Sequence, residues 1–396
     1  MRARTVAVLV AAAALAAPAT PAAAAEPRLR LVAPQLRATG VEIPARASGA
    51  APRARVTLEV RREGRWRPVD RDRADRRGTA RLRFTPGGDR HRVRLRAVSR
   101  RARPSRARTV RARDVTLAAF GDANLGDGVK WVMRDRGATW PWGGVAPTLR
   151  GADIAFGNLE CAISSRGRAV PKEFNFRGRP RALRKIVRFA GLDVLNLANN
   201  HTGDFGTAAL RDTLRHVKAS GALPVGAGAN LERAQEPRVV ERLGLRVAFV
   251  GFSDINPWGF LAGPSTPGIS PATPEAIRAG VRAARRRADV VVATFHWGVE
   301  RAPRENARQR AFAGEALRAG ASAVIGAHPH VPQPIRARGR KVVAYSLGNF
   351  VWAAGSPQSA ATGILRLRLS ARGVEAHRLQ RATIVNTRPV LRRGGA

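Results

Sequence analysis

Four of the seven histidines in this 396-residue chain, His201, His296, His328 and His330, stand directly after short apolar runs, in the company of carboxylates and side-chain amides. Gly121-Asp122-Ala123-Asn124 follows the run 115–120, Gly157-Asn158-Leu159-Glu160 follows 154–156, and Ala198-Asn199-Asn200-His201 follows 194–197. His296-Trp297-Gly298 follows 290–295, and Gly326-Ala327-His328-Pro329-His330 follows 323–325. Imidazoles grouped with carboxylate and amide oxygens form a borderline nitrogen and oxygen donor set, suited to zinc, manganese or iron. Asp122 and Glu160 each offer a charged oxygen, and one of them can bridge two ions. His328 and His330 are two residues apart, so in extended chain they face the same side and one can serve each ion of a pair. The other three histidines, His91, His216 and His377, lie outside these clusters.

The elements that must position these groups read as an α/β domain. The apolar runs, with others at 247–252 and 342–345, are strand-like. Between them, 207–220, 274–287 and 306–319 carry apolar residues at helical spacing, two of the three ending at glycine. Alternating strands and helices argue for largely buried sheets. Residues 364–369 and 373–385 revert to period-two alternation and read as a closing antiparallel hairpin. In open α/β sheets ligands bind beyond the carboxyl ends of the strands, so five polar clusters at such ends predict one convergent site.

Gly121-Asp122, Asn158-Leu159-Glu160, the run Leu197-Ala198-Asn199-Asn200-His201-Thr202-Gly203-Asp204-Phe205-Gly206, His296-Trp297-Gly298-Val299-Glu300, Gly326-Ala327-His328-Pro329-His330 and Tyr345-Ser346-Leu347-Gly348-Asn349-Phe350 stand in an order that resembles the bacterial CapA family of capsule and poly-gamma-glutamate synthesis proteins. The resemblance covers residues 115–352. That family is similar to calcineurin-like metallophosphoesterases, which implies a four-layer α-β-β-α sandwich and two divalent metal ions (Mn, Zn or Fe). By the same resemblance Asp122, Asn200, His296, His328 and His330 match metal ligands, and His201 matches the catalytic histidine that assists the leaving group. Two departures stand out. Asn124 occupies the place of a histidine ligand. The bridging aspartate is replaced by Asn158 or Glu160, of which Glu160 carries the charge that a bridge between cations needs. Asp204, three residues after His201, either orients that imidazole or caps the following helix. Asn124 and Asn349 are assigned to substrate at the rim, a tight turn being the alternative for Asn349. The implied activity is hydrolysis of a phosphoester or related anionic linkage. The alternative is a non-catalytic assembly, transport or anchoring factor for an extracellular polymer. The expected partner is an anionic extracellular polymer or cell-wall substrate.

Composition bounds the rest. There are 66 arginines and five lysines against 28 acidic residues, a formal charge of +43. The arginines are spread along the whole chain, which points away from a specific nucleic-acid partner, since such a binder concentrates its charge. A single cysteine excludes an intrachain disulfide. Residues 1–25 combine Arg2 and Arg4, an apolar run too short to span a bilayer, and an alanine cluster, and read as a cleaved signal peptide. No later segment is apolar for long enough to span a membrane, so a secreted or envelope-associated protein is expected. Residues 26–98, alternating apolar and charged, read as a small antiparallel β-sandwich of immunoglobulin-like form, either a polymer-binding module or a charged spacer. Residues 99–113 read as an Arg-rich linker, and 114–390 as the CapA-like domain.

Overall fold

The structure is a computed structural model that describes residues 26–87 and 91–392; the export signal expected over 1–25 lies outside them. It is a mixed α/β fold with several sheets.

Residues 114–392 are built on two large sheets. In the first, Leu223–Val225, Val194–Asn196, Ile154–Leu159 and Val115–Ala123 run parallel in that order. Ala361–Ser370, Gly373–Val385 and Arg388–Leu391 then continue it antiparallel, and Asn349–Val351 also pairs with Val115–Ala123. The second sheet runs Arg238–Arg242, Leu245–Ser253, Val290–His296, Ala323–Ala327, Lys341–Ala344, Ile335–Arg338, with the four inner strands parallel.

Strands buried on both faces are near-continuously apolar, and Val290–His296 is buried along its whole length. One hydrophobic cluster joins residues of both sheets, including Leu117, Phe156, Phe249, Val292 and Ile325. Phe156 and Phe249 stack there with ring centroids 5.4 Å apart. A second cluster packs the helices Asp127–Arg136 and Pro180–Ala190 on the first sheet, and a third packs Pro274–Arg287 and Ala307–Ala319 on the second. Each fully buried Phe or Leu contributes about 1.5–3 kcal/mol, so the sheets hold their strand ends rigidly. Local signals fix the helix ends: Asn306 caps Ala307–Ala319 in a reciprocal capping box with Gln309, and Gly320 closes it in the left-handed conformation.

Residues 30–113 form a three-stranded antiparallel sheet (Arg30–Val32, Ile43–Ser48, Ala80–Phe84) and a five-stranded sheet around a cluster of their own. Two expectations need correction. The five-stranded sheet is not wholly antiparallel, because Leu36–Ala38 pairs parallel with Arg108–Arg113. Residues 99–113 are not a linker, since Arg108–Arg113 is a paired strand with Val110 and Ala112 buried. Arginine at the outward positions and Pro104 before them mask that alternation. The strand leads directly into Val115–Ala123, and the two regions are tied by backbone bonds from Ala38 N–H to Leu243 and from Ala371 N–H to Thr39. Among the described residues no helix is long and apolar enough to cross a membrane.

Candidate metal centre

The carboxyl ends of Val115–Ala123, Ile154–Leu159 and Val194–Asn196 meet those of Val290–His296 and Ala323–Ala327. Asp122 lies within its strand rather than after it, and its N–H donates to Gly348 O at 2.9 Å. Gly121 permits that approach: a Cβ there would lie 1.9 Å from Gly348 O. The ladder between the first two strands shifts register between Gly157 and Asn158, which brings Asn158 level with Asp122.

Glu160 is the common member of two ligand groups: Glu160, His328 and His330, and Asp122, Glu160 and His296, the ligand atoms in each lying within 4.8 Å of one another. His296 Nε2 is 2.8 Å from Asn200 Oδ1 and 3.3 Å from Glu160 Oε1. His330 Nδ1 is 3.4 Å from Asp122 Oδ2, and its Nε2 is 3.8 Å from Glu160 Oε1. The structure therefore brings Asp122, Glu160, Asn200, His296, His328 and His330 together.

His328 and His330 do so by a different route from the one expected. They are not in extended chain: their φ angles are 93° and 59°, in a bend after Ala323–Ala327. The bend turns His328 N–H onto Asp122 Oδ2 at 3.1 Å. A non-glycine residue at positive φ is strained, and two within three residues are held only because the surroundings over-determine them.

Asn158 is the hub beneath the cluster. Its Nδ2 donates to Asp122 Oδ1 at 2.8 Å and to Glu160 Oε2 at 3.3 Å, while its Oδ1 accepts from Asn196 and Asn199. It orients the carboxylates, and Glu160 is the residue that shares both groups. Asn124 and Asn349, expected at the substrate, are buried and committed to protein partners. Asn124 Oδ1 accepts from Gly126 N–H at 2.7 Å. Asn349 lies 2.9 Å from His330 Nδ1 and donates to the His330 and Ser359 carbonyls.

Electrostatics follow from burial. It pushes the Glu160 carboxyl well up, aided by the Asp122 charge. It also pushes His296 well down, and His328 down to about 3, the other imidazoles adding to the effect. At Asp122 burial acts upward, but contact with His330 outweighs it and the carboxyl is lowered. At His330 burial acts downward, and Asp122 outweighs it. Glu160 Oε1 and His328 Nδ1 are buried with no hydrogen-bond partner among the described residues. Buried polar atoms are almost always paired, and two orphans aimed into a His and carboxylate cluster fit a cation.

Beside this cluster His201 stacks on Phe176 with centroids 4.1 Å apart, and its Nδ1 is 2.7 Å from Asp204 Oδ2. Asp204 does not cap the next helix, whose N-terminal residue Phe205 makes no side-chain cap. Lys172, which sequence reasoning left unassigned, donates to Asp204 Oδ1 at 2.6 Å and to Asn200 O at 2.5 Å. Lysine is one residue in fourteen among this chain's cations, but Lys218 and Lys341 are equally rare and exposed, so rarity alone does not single out Lys172.

The model of the family described as "Bacterial capsule synthesis protein PGA_cap" matches residues 116–354, a span that holds every residue of the cluster. The chain is 34% identical over 264 residues to the PGA biosynthesis protein CapA of Bacillus subtilis (strain 168), covering 66% of this chain and 69% of that protein. It is 30% identical over 267 residues to the capsule biosynthesis protein CapA of Bacillus anthracis, covering 65% of each. A probable polyglutamine synthesis accessory protein of Mycobacterium tuberculosis is 30% identical over 226 residues, covering 54% of this chain and 59% of its own length. With the family match spanning more than half of its length, this chain belongs to the bacterial capsule synthesis protein family PGA_cap.

Proposed function

We propose that this chain is an exported, metal-dependent hydrolase of a phosphoester or related anionic linkage, acting in the production of a capsule or poly-gamma-glutamate-type polymer. The observation that carries the reading is the pair of orphaned buried atoms, Glu160 Oε1 and His328 Nδ1, on two residues of one ligand group. Asp122, Asn200, His296, His328 and His330 would be the remaining ligands, and Glu160, common to both groups, would be the carboxylate shared between two ions. Bound divalent cations supply Lewis acidity and a clamp for the anionic oxygens of the substrate. The helix, sheet, sheet, helix layering of the metallophosphoesterase type is the arrangement that the three hydrophobic clusters support.

The chain's own residues do the rest. Asp204 holds His201 Nδ1, which fixes the ring and leaves Nε2 for the reacting group. Protonated His201 gives its Nε2 proton to the leaving oxygen. Lys172 neutralises Asp204 and, through the Asn200 carbonyl, ties the proton donor to the ligand loop. Phe176 shields the other face of the imidazole from water.

One observation favours a second reading, an assembly or anchoring factor without turnover: Asn124 spends its oxygen on Gly126 and adds no ligand. Elemental analysis of the purified protein, followed by a phosphoester screen with Mn, Zn and Fe, decides between them. Stoichiometric metal with turnover supports the hydrolase. Stoichiometric metal with no turnover on any ester moves the function to assembly.

A further inference from the structure

On the outer face of the first sheet the helices Asp127–Arg136 and Pro180–Ala190 line a groove of about 1160 Å³. That is larger than the usual small-molecule site of roughly 300–1,000 Å³. We propose that this groove binds an extended acidic polymer chain whose charges are carboxylates. The proposal rests on the polymer-production reading above and places the polymer on a surface separate from the metal centre.

The charge is organised along the groove. On Pro180–Ala190 the exposed cations Arg181, Arg184, Lys185 and Arg188 recur at helical spacing, opposite the buried Leu183, Ile186, Val187 and Ala190. Lys130 and Arg134 line the facing helix, so two of the chain's five lysines sit in this groove. Asp127 is the one carboxylate among the lining residues. Like charges four residues apart work against a helix, and the pairs Arg181 with Lys185 and Arg184 with Arg188 do so without an acidic residue in the helix to relieve them.

Elsewhere in this part of the molecule several arginines are matched to acids. Arg242 pairs with Asp193, Arg308 with Asp254, Arg336 with Glu305 and Arg368 with Asp114. Among the groove cations only Arg134 has such a partner within the described residues, its exposed neighbour Asp135. A row of cations without acidic partners among the described residues therefore lines a concave surface.

The lining also selects the kind of polyanion. Between the cations lie Leu125, Met133, Ala138, Pro180 and Ala182, with Trp131 half exposed on one wall. An apolar floor between spaced cations suits carboxylates carried on methylene-bearing units. A bare polyphosphate has no surface to lay on it, and a nucleic acid would call for a series of exposed aromatic platforms. The groove meets the centre along one segment: Asn175 and Arg177 line it, and Phe176 between them stacks on His201.

The test uses the full chain as purified, with anisotropy of fluorescein-labelled poly-gamma-glutamate at two salt concentrations and polyphosphate of equal charge as competitor. The variant Arg184→Gln with Arg188→Gln is compared with Arg282→Gln and Arg286→Gln, an equally spaced exposed pair on Pro274–Arg287. The expected result is at least a tenfold loss of affinity and a shallower salt dependence in the groove variant, less than twofold in the control, and weak competition by polyphosphate. Equal weakening in both variants, no binding by the wild type, or preference for polyphosphate overturns the proposal. His328→Ala separates it from the hydrolase reading. Retained polymer binding in a metal-free variant is expected. If the wild type binds the polymer but hydrolyses nothing, the groove stands and the hydrolase falls. If the groove variant binds polymer normally and still hydrolyses a small ester, the reverse holds.

Discussion

Replacing Asp204 by asparagine tests the proposed proton donor separately from the proposed metal ligands. Asp204 is fully buried and accepts from Lys172 Nζ at 2.6 Å, from Phe176 N–H at 2.6 Å and from His201 Nδ1 at 2.7 Å. The amide has the same shape but one acceptor atom, no charge, and an NH2 group that must face a donor. Removing one partner of a buried ion pair costs about 3–5 kcal/mol. Lys172 keeps the Asn200 carbonyl and is partly solvated, and the amide oxygen keeps one bond, so we expect a loss of about 2 kcal/mol. That lowers Tm by several degrees and leaves a folded protein. Burial already lowers the His201 pKa, and Asp204 is what opposes it. Without the carboxylate the ring holds its proton less well and its orientation loosens, so kcat falls by roughly 10²–10⁴. An acid that loses its proton more readily fails at lower pH, so the alkaline limb of the rate profile moves down. The assays are metal content, thermal melting and the pH profile of phosphoester hydrolysis. Unchanged kcat at full metal occupancy refutes the role of His201. Metal loss as deep as in His328→Ala shows that Asp204 acts through the ligands instead.

Three further outcomes are expected. His328→Ala loses metal and turnover together, whereas His201→Ala keeps metal and loses turnover; equal metal loss in elemental analysis makes His201 a ligand. Asp212→Asn destabilises the chain near neutral pH, because contact with Arg166, Arg215 and Ser164 holds that buried carboxyl far below its ordinary value; the contribution is full above the unfolded-state pKa of about 3.9 and fades as pH falls below it, so melting curves of variant and wild type draw together in acid. A truncation beginning at Asp114 keeps its metal but melts earlier, since it uncovers the edge at Leu243 and Ala371 that residues 38–39 cover; loss of metal in that truncation means that the arginine-rich region helps to form the centre.

The elements that carry strong periodicity were legible. Residues 274–287 form the helix Pro274–Arg287, and 306–319 corresponds to Asn306 capping Ala307–Ala319. The polar clusters were legible because each follows an apolar run. Other features were not, for physical reasons. The helix Pro180–Ala190 hides its buried stripe behind five cationic positions at and before its start and along its outer face. Lys172 lies in a segment without periodicity, and its partners Asn200 and Asp204 are about thirty residues away. The Asn158 hub depends on a register shift that no local pattern encodes. The bend at His328 and His330 overrides the extended conformation that alternate spacing suggests, because Asp122 draws the His328 N–H.

The order of strands in the first sheet sets when the centre can exist. Val115–Ala123, which carries Asp122, is flanked by Ile154–Leu159 on one side and on the other by Ala361–Ser370, some 240 residues later. Asn349 is paired in register with Asp122 itself. A chain stalled before residue 349 therefore lacks the neighbour that secures His330, and one stalled before 361 leaves the Asp122 strand with an open edge. Such long-range pairing is slow to form, so the cluster is assembled only after residues 349–370 have joined the Asp122 strand.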